Sequence, residues 1–222
     1  AEIRGCLSLS EPDAGTDTSA ITCRAVRDGD EYVISGTKTW VTNGQRAGLI
    51  ALAARTDEGI TCFMVEKEPG AAQTGGITVS RNIPKLGYKG TESCEIVFDD
   101  CRVPVENLLG GVEGRGMQQV LSGLETGRIN VAARALGIAQ ASYDAALTYS
   151  REREAFGQPI SEFQAIQLKL ADMATKIQAA RLLIYWAAAG ADKGERVDMQ
   201  AGMAKLFASE VAVEAALDAM RI

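Results

Sequence analysis

The sequence contains no histidine. Histidine general bases, Ser-His-Asp triads and histidine-bearing metal sites are therefore excluded across its 222 residues. It has no run of Lys and Arg, and its formal net charge is −6. Both argue against nucleic acid as the main partner, because phosphates must be met by clustered cations. An anionic ligand would have to be held by individual basic residues. No stretch reaches the roughly twenty apolar residues that a membrane span requires, and Ala1-Glu2-Ile3-Arg4-Gly5 does not read as a signal peptide. Cysteine is present, at positions 6, 23, 62, 94 and 101, but the number is odd and C-x-x-C spacing is missing. That pattern speaks against a zinc site or a disulfide framework. The five read as reduced, mostly buried thiols of a cytosolic or organellar protein. No G-x-G-x-x-G follows a strand, so a nicotinamide-type Rossmann site has no support. Internal repeats and low-complexity segments are absent beyond alanine-rich helix faces. The chain lacks an initiator Met, and Ala219-Met220-Arg221-Ile222 stops inside a helical pattern without a cap, which reads as a fragment at both ends.

What is there, 46% hydrophobic and 23% charged residues, suits a globular chain with one large core or two modest ones. Its two halves differ in period. Residues 1–112 carry short apolar runs bounded by turn residues: Tyr32-Val33-Ile34-Ser35-Gly36, Leu49-Ile50-Ala51-Leu52-Ala53, Thr61-Cys62-Phe63-Met64-Val65 and Cys94-Glu95-Ile96-Val97-Phe98. With Asp28-Gly29-Asp30 and Asp57-Glu58-Gly59 between them, they predict antiparallel hairpins closing a small barrel or sandwich. Residues 113–222 take up a helical period. Val120, Leu124, Ile129, Ala132, Leu136, Ala139, Tyr143 and Leu147 mark one apolar stripe from about Gly116 to Arg151. Ser161-Glu162-Phe163-Gln164 predicts a capping box opening a second helix with Ile166, Leu170, Met173, Ile177 and Ile184 inward. Gly190 to Gly194 ends that helix, and a third begins near Val197. The fold class is thus α+β and multi-domain: an antiparallel β-barrel or sandwich domain followed by an antiparallel helical bundle. A cleft between two such modules is a common seat for a large cofactor.

Four stretches allow both a plain and a functional reading. Ser10-Glu11-Pro12-Asp13-Ala14-Gly15-Thr16-Asp17 has the composition of a tight turn. Gly36-Thr37-Lys38-Thr39-Trp40-Val41-Thr42-Asn43-Gly44 reads as a strand with a packed indole and an Asn-Gly type I′ hairpin turn. Alternatively, its flat aromatic ring and hydroxyls would cover a planar heterocycle and fix its edge. Arg151-Glu152-Arg153-Glu154-Ala155-Phe156-Gly157 places cations at a helix C-terminus, favoured by the dipole, or grips a pyrophosphate and stacks an adenine. In Leu124-Glu125-Thr126-Gly127-Arg128, Arg128 either pairs with Glu125 at i,i+3 or holds a phosphate.

Taken in order, SEPDAGTD, GTKTWVTNG, LETGRINVAARALGIAQ and REREAFGQPISEFQAIQLKLADM resemble the acyl-CoA dehydrogenase family over the whole chain, as its middle β domain plus the first helices of its C-terminal domain. The resemblance implies FAD as cofactor and α,β-dehydrogenation of an acyl-CoA thioester to the trans-2-enoyl-CoA, the flavoprotein oxidoreductase chemistry of fatty-acid β-oxidation. Electrons would pass to an electron-transferring flavoprotein. It implies main-chain contacts from Leu7 and Leu9, a bare Gly15, and flavin contacts from Ser10, Trp40, Val41 and Thr42. Thr16 would lie against the cofactor pyrophosphate and the pantetheine arm. Arg153, Glu154, Ala155, Phe156, Phe163 and Gln164 would reach the FAD of an adjacent subunit in a homodimer or homotetramer. Glu125, Thr126, Gly127 and Arg128 would contact coenzyme A. The family's catalytic carboxylate is expected beyond residue 222; a minority of members carry it directly before the arginine matching Arg128, where this sequence has Gly127. Glu125, about 200° round the helix from Gly127, is the remaining candidate within the chain. An acyl-CoA oxidase passing electrons to oxygen, a non-catalytic flavin or CoA-binding scaffold, and a plain interaction bundle are the competing readings.

Overall fold

A computed structural model describes residues 3–222; the signal-peptide reading at Ala1 and Glu2 falls outside them. The described residues form two compact units, one ending at Leu121 and the other comprising Ser122–Ile222.

The first unit holds β1 (Gly5–Ser8), β2 (Arg24–Asp28), β3 (Glu31–Thr42), β4 (Leu49–Thr56), β5 (Gly59–Glu66), β6 (Gln73–Thr74), β7 (Ile77–Val79) and β8 (Ser93–Pro104). They make one sheet in the order β1-β4-β2-β3-β8-β7-β6, with β5 also on β4. Two tight hairpins fall at the anticipated turn signals, with Asp28 opposite Glu31 and Thr56 opposite Gly59. Pairing is antiparallel except where β1 runs alongside β4 and where Arg24 of β2 meets Arg55 of β4. Alternating residues face a core that includes Tyr32, Ile34, Ile50, Leu52, Phe63, Ile96 and Phe98. Tyr32 meets Phe63 edge to face at 4.8 Å, the arrangement that ring quadrupoles favour. The Tyr32 hydroxyl donates to Glu113; burial, with that carboxylate beside it, pushes the phenol up to about 12. All five cysteines are free and buried. Burial pushes the Cys6 thiol up to about 12 and those of Cys23, Cys94 and Cys101 to about 11, so they stay protonated and inert. Gly36, at φ +151°, brings β3 so close to the preceding segment that a Cβ there would stand 2.6 Å from the Cys23 Cα.

The second unit is built from α1 (Gly116–Glu152), whose first turns belong to the β unit, and from α2 (Gln164–Asp192) and α3 (Asp198–Arg221). A small hairpin, β9 (Glu154–Ala155) with β10 (Gln158–Pro159), separates α1 from α2. The core is rich in small residues: Ala132 and Ala139 from α1, Ala180 and Ala187 from α2, and Ala204, Ala208 and Ala215 from α3. Alanine combines the best helix propensity with room for close backbone approach. Leu170, Met173, Ile177 and Ile184 are buried in α2 as the period predicts. Gly194, at φ +73°, closes that helix.

Two local expectations are corrected. Ser161 does not cap α2: Ile160–Glu162 form a 3₁₀ turn, and the residue before α2 is Phe163, which has no side-chain capping bond. Inside that turn the Ser161 backbone is already helical, and its carbonyl instead accepts from the Gln167 amide at 3.0 Å. Asn43-Gly44 is not a hairpin turn either. β3 pairs with β2 and β8, and the chain leaves it at Thr42 through a longer loop to β4. Asn43 does adopt φ +65°, and its carbonyl accepts the N–H groups of Arg46 and Ala47.

Candidate functional site

In the β unit, the opening turn is closed by reciprocal bonds between Glu11 and Ala14, N–H to O at 2.8 and 3.2 Å. The Asp17 carboxylate then accepts the Ser19 N–H at 3.1 Å and starts a short 3₁₀ turn. The plain reading of this stretch is therefore correct as far as it goes. The turn also has a fixed neighbour. The Thr39 N–H donates to the Ser10 carbonyl at 2.8 Å, so the two unusual stretches meet residue against residue.

A β-bulge shapes the second stretch. Lys38 pairs with Ile96 and Val41 with Cys94, so Thr39 and Trp40 together stand opposite Glu95 alone. The extra residue puts Trp40 at φ +58°, a left-handed conformation that costs a bulky side chain about 1–3 kcal/mol. The indole is not packed as a core residue: it is 62% exposed. Val41, next along, is buried, so it could serve a ligand only through its main chain. Thr42 is exposed, Ser10 is half-buried, and neither hydroxyl has a partner among the described residues. Leu7 is exposed and Leu9 buried. Gly15 and Thr16 lie on the surface, and a Cβ on Gly15 would meet nothing within 4 Å.

Beneath this surface lies a group that sequence reasoning missed. Lys38 is fully buried, and its ammonium donates at 2.8 Å to both the Leu9 carbonyl and Glu11 Oε1. The Glu11 carboxylate also accepts the Thr22 N–H at 2.7 Å, the Thr22 hydroxyl at 2.8 Å and the Cys23 N–H at 2.9 Å. Burial alone would raise this carboxyl; the bonds from Lys38, Thr22 and Cys23 outweigh it and hold the group below its ordinary range. The sequence offered little signal: Lys38 stands between threonines in a strand, and Glu11 in a turn that also carries Asp13 and Asp17.

In the helical unit, Glu125 to Arg128 occupy one turn of α1. Glu125 is half-buried and accepts the Val197 N–H at 2.6 Å, where α3 begins. Its carboxylate is thus engaged at a helix start, and of the two alternatives for Arg128 the pairing with Glu125 is not formed. Thr126 and Arg128 are exposed, and Gly127 has open space where a Cβ would stand. The residues from Arg153 to Gln164 are gathered by the small hairpin. Arg153 donates its N–H to Tyr149 and accepts from Ile160, both at 2.8 Å. Glu154 and Ala155 form β9. Phe156 sits at φ +52° and is 97% exposed, its ring perpendicular to that of Phe163 at 6.0 Å. Gln164, exposed, is the first residue of α2. Arg128 and Arg153 have no ion-pair partner among the described residues. Each unit thus presents unsatisfied polar groups beside an uncovered aromatic ring. Among the described residues no His/Cys/Asp/Glu cluster could hold a metal ion, and no helix is long and apolar enough to cross a membrane.

Comparison with known proteins bears on these features together. Residues 6–101 match the family model of the acyl-CoA dehydrogenase middle domain, and residues 114–222 that of the acyl-CoA dehydrogenase C-terminal domain. The chain is 43% identical to the mitochondrial short-chain specific acyl-CoA dehydrogenase of Bos taurus, over 98% of its own length and 53% of that protein's. It superposes on butyryl-CoA dehydrogenase of Megasphaera elsdenii with a TM-score of 0.94 and 39% identity, covering 99% of this chain and 57% of that one. A chain solved in a study of the electron transferring flavoprotein of Acidaminococcus fermentans gives a TM-score of 0.94 and 45% identity, with 99% and 57% covered. The chain spans about half the length of the relatives it matches. Two matched domains in sequence order, with 43% identity to a member over 98% of this chain, establish that it belongs to the acyl-CoA dehydrogenase family.

Proposed function

We propose that the chain is the flavin- and thioester-binding part of an enzyme that removes a proton from Cα and a hydride from Cβ of a short-chain acyl-CoA, giving the trans-2-enoyl-CoA. The family is FAD-dependent, and the donor set suits that cofactor. Among the described residues the hydroxyls of Ser10 and Thr42 have no partner, the Trp40 indole is uncovered, and the backbone at Gly15 is bare. When bound, FAD supplies the two-electron acceptor that desaturation requires.

The chain's own residues orient and exclude. Ser10 and Thr42 would hydrogen-bond to the edge of the ring system, and Trp40 would cover a flank and keep water out. The main chain at Leu7, Leu9 and Val41 completes that edge; the Leu9 carbonyl is committed to Lys38, which leaves its N–H as the available group. Thr16 and bare Gly15 let the pyrophosphate and pantetheine come close to the backbone. Arg153 meets a phosphate with its guanidinium, with Glu154, Ala155, Phe156, Phe163 and Gln164 around it, serving the flavin of a neighbouring subunit in a homodimer or homotetramer. Arg128, with Thr126 and Gly127, meets coenzyme A. Glu125 anchors the start of α3, and proton abstraction is assigned to a carboxylate other than Glu125. The electron acceptor of the loaded enzyme would be an electron-transferring flavoprotein.

The contact that carries this reading is the Thr39 N–H on the Ser10 carbonyl at 2.8 Å, which holds the unpaired Ser10 hydroxyl and the exposed Trp40 in one frame. The test uses the complete gene product, purified and titrated anaerobically with butyryl-CoA and longer or branched thioesters. Bleaching of the flavin absorbance, with reoxidation by electron-transferring flavoprotein faster than by oxygen, is the expected result. A complete protein that holds no flavin, or whose flavin no thioester bleaches, overturns it.

A further inference from the structure

The buried Lys38–Glu11 pair is placed where neither the core nor the surface requires it. Burying both charges costs desolvation that the attraction between them only roughly repays, so an apolar pair of the same volume would serve stability as well. What the ions do that an apolar pair cannot is fix positions. Lys38 grips the Leu9 carbonyl and the Glu11 side chain, which bracket Ser10, and the next residue, Thr39, holds Ser10 itself. Two consecutive residues of β3 thus hold three consecutive residues of the turn, immediately before the bulge that swings Trp40 outward. On its far side, Glu11 is fixed by three further donors from Thr22 and Cys23, so the frame is anchored in the segment leading into β2.

We propose that Lys38 and Glu11 are positioning residues: one buried ion pair sets the geometry of Ser10 and Trp40 together and so preorganises the flavin seat. The inference rests on the functional reading given above, but it concerns how this chain holds its own residues, and it is measurable without a cofactor. The sequence has two tryptophans, Trp40 and Trp186. In the complete protein carrying Trp186→Phe, the near-ultraviolet circular dichroism that this chain's tryptophan contributes comes from Trp40 alone, and the difference from a Trp40→Phe counterpart isolates it.

Lys38→Met leaves Glu11 buried without its cation and should lower the melting temperature. Lys38→Met with Glu11→Gln removes both charges and keeps an acceptor for Thr22, so most of the lost melting temperature should return. In that double variant the Trp40 signal of the FAD-free protein should nevertheless stay weakened, and the Kd for FAD should stay about tenfold above that of the parent, the effect of lost preorganisation. Thr22→Val, at an exposed position, removes one donor to Glu11 and should shift both quantities the same way by a smaller factor without a folding defect. A double variant whose Trp40 signal and FAD affinity recover in step with its melting temperature makes the pair merely structural and overturns the proposal. So does an unchanged Trp40 signal in both Thr22→Val and the double variant. If the parent protein binds no FAD, the functional reading fails, while the Trp40 signal still decides for or against the pair.

Discussion

The two units hold their candidate residues in opposite ways. In the β unit the half-buried Ser10 and the exposed Trp40 and Thr42 lie over a buried polar frame in which an ammonium and a carboxylate have lost nearly all contact with water. In the helical unit the core is alanine and aliphatic, and the ion pairs of α2 and α3, such as Lys176 with Asp172 and Glu214, lie at the surface. Arg128, Arg153 and Phe156 are exposed on that unit, and neither arginine has an ion-pair partner among the described residues. On the proposed reading the β-side geometry is built before any ligand arrives, whereas Arg128 and Arg153, without such partners, would take up a defined position only against one. A frame of buried charge resists motion because every displacement leaves a desolvated ion unpaired; a seam of alanines resists only changes in volume.

The largest effect that separates the two is the loss of an ammonium. Lys38→Met should destabilise the protein by about 3–5 kcal/mol in urea denaturation, because it strands the Glu11 charge. Lys176→Met removes a lysine with two carboxylate partners and should cost at most about 1 kcal/mol, since those partners stay hydrated. Equal losses would erase the distinction between the frames.

Proton linkage sharpens the same contrast. Glu11 is held below its ordinary range in the folded protein, so its contribution is fully present above the unfolded carboxyl value of about 4.3 and is lost as pH falls through the lower folded value. Melting curves taken from neutral pH downward should show that acid limb in the parent and a flatter one in Glu11→Gln. Asp218, lowered chiefly by Lys169 and then by Arg221, should give a shallower limb from the helical unit, because water competes for its partners. An Asp218→Asn protein that loses more of the acid limb than Glu11→Gln would reverse the ranking.

The alanine seam has its own test. Ala204 is fully buried among α2 and α3 neighbours; Ala204→Leu should cost about 1–3 kcal/mol by overpacking, read as a shift of the urea midpoint. Ala→Leu at an exposed position of the same helix should cost nothing measurable. A neutral Ala204→Leu would mean that the helices can move apart freely.

How much of this was readable in advance follows the range of the interactions. The extent of α1 was legible to within a residue, because a 3.6-residue apolar period is local information. The burial of the cysteines and the hairpins at Asp28 and Asp57 were legible for the same reason. The capping box at Ser161 was misread because a preceding 3₁₀ turn, invisible to a four-residue pattern, claimed its backbone. The exposure of Trp40 was hidden by two register shifts in β3, since each bulge resets which face a residue occupies. Lys38 and Glu11 lie 27 positions apart, and nothing in either neighbourhood announces the other. Their contact is a product of β3 running beside the opening turn. The individual hydroxyls, arginines and aromatics of the candidate site could be picked out by type, but what holds them in place could not.

The smallest expected change in stability is also the cleanest probe of what the opening turn is for. Gly15 lies at the surface with nothing within 4 Å of where a Cβ would stand, and its φ is not left-handed. The fold itself therefore gives no reason for a glycine. Gly15→Ala should leave the melting temperature unchanged or raise it slightly, since alanine narrows the unfolded ensemble by about 0.4–1 kcal/mol where the native conformation is open to it. If the turn exists to let a cofactor and a thioester approach bare backbone, the same substitution should weaken FAD or acyl-CoA binding by about tenfold, the consequence of roughly 1.4 kcal/mol of lost contact. Stability and affinity would then move in opposite directions at one methyl group. A Gly15→Ala protein that binds both ligands as tightly as the parent would mean that the turn keeps its distance from them, and the comparison of the two units would have to be redrawn with the β-side frame serving the fold alone.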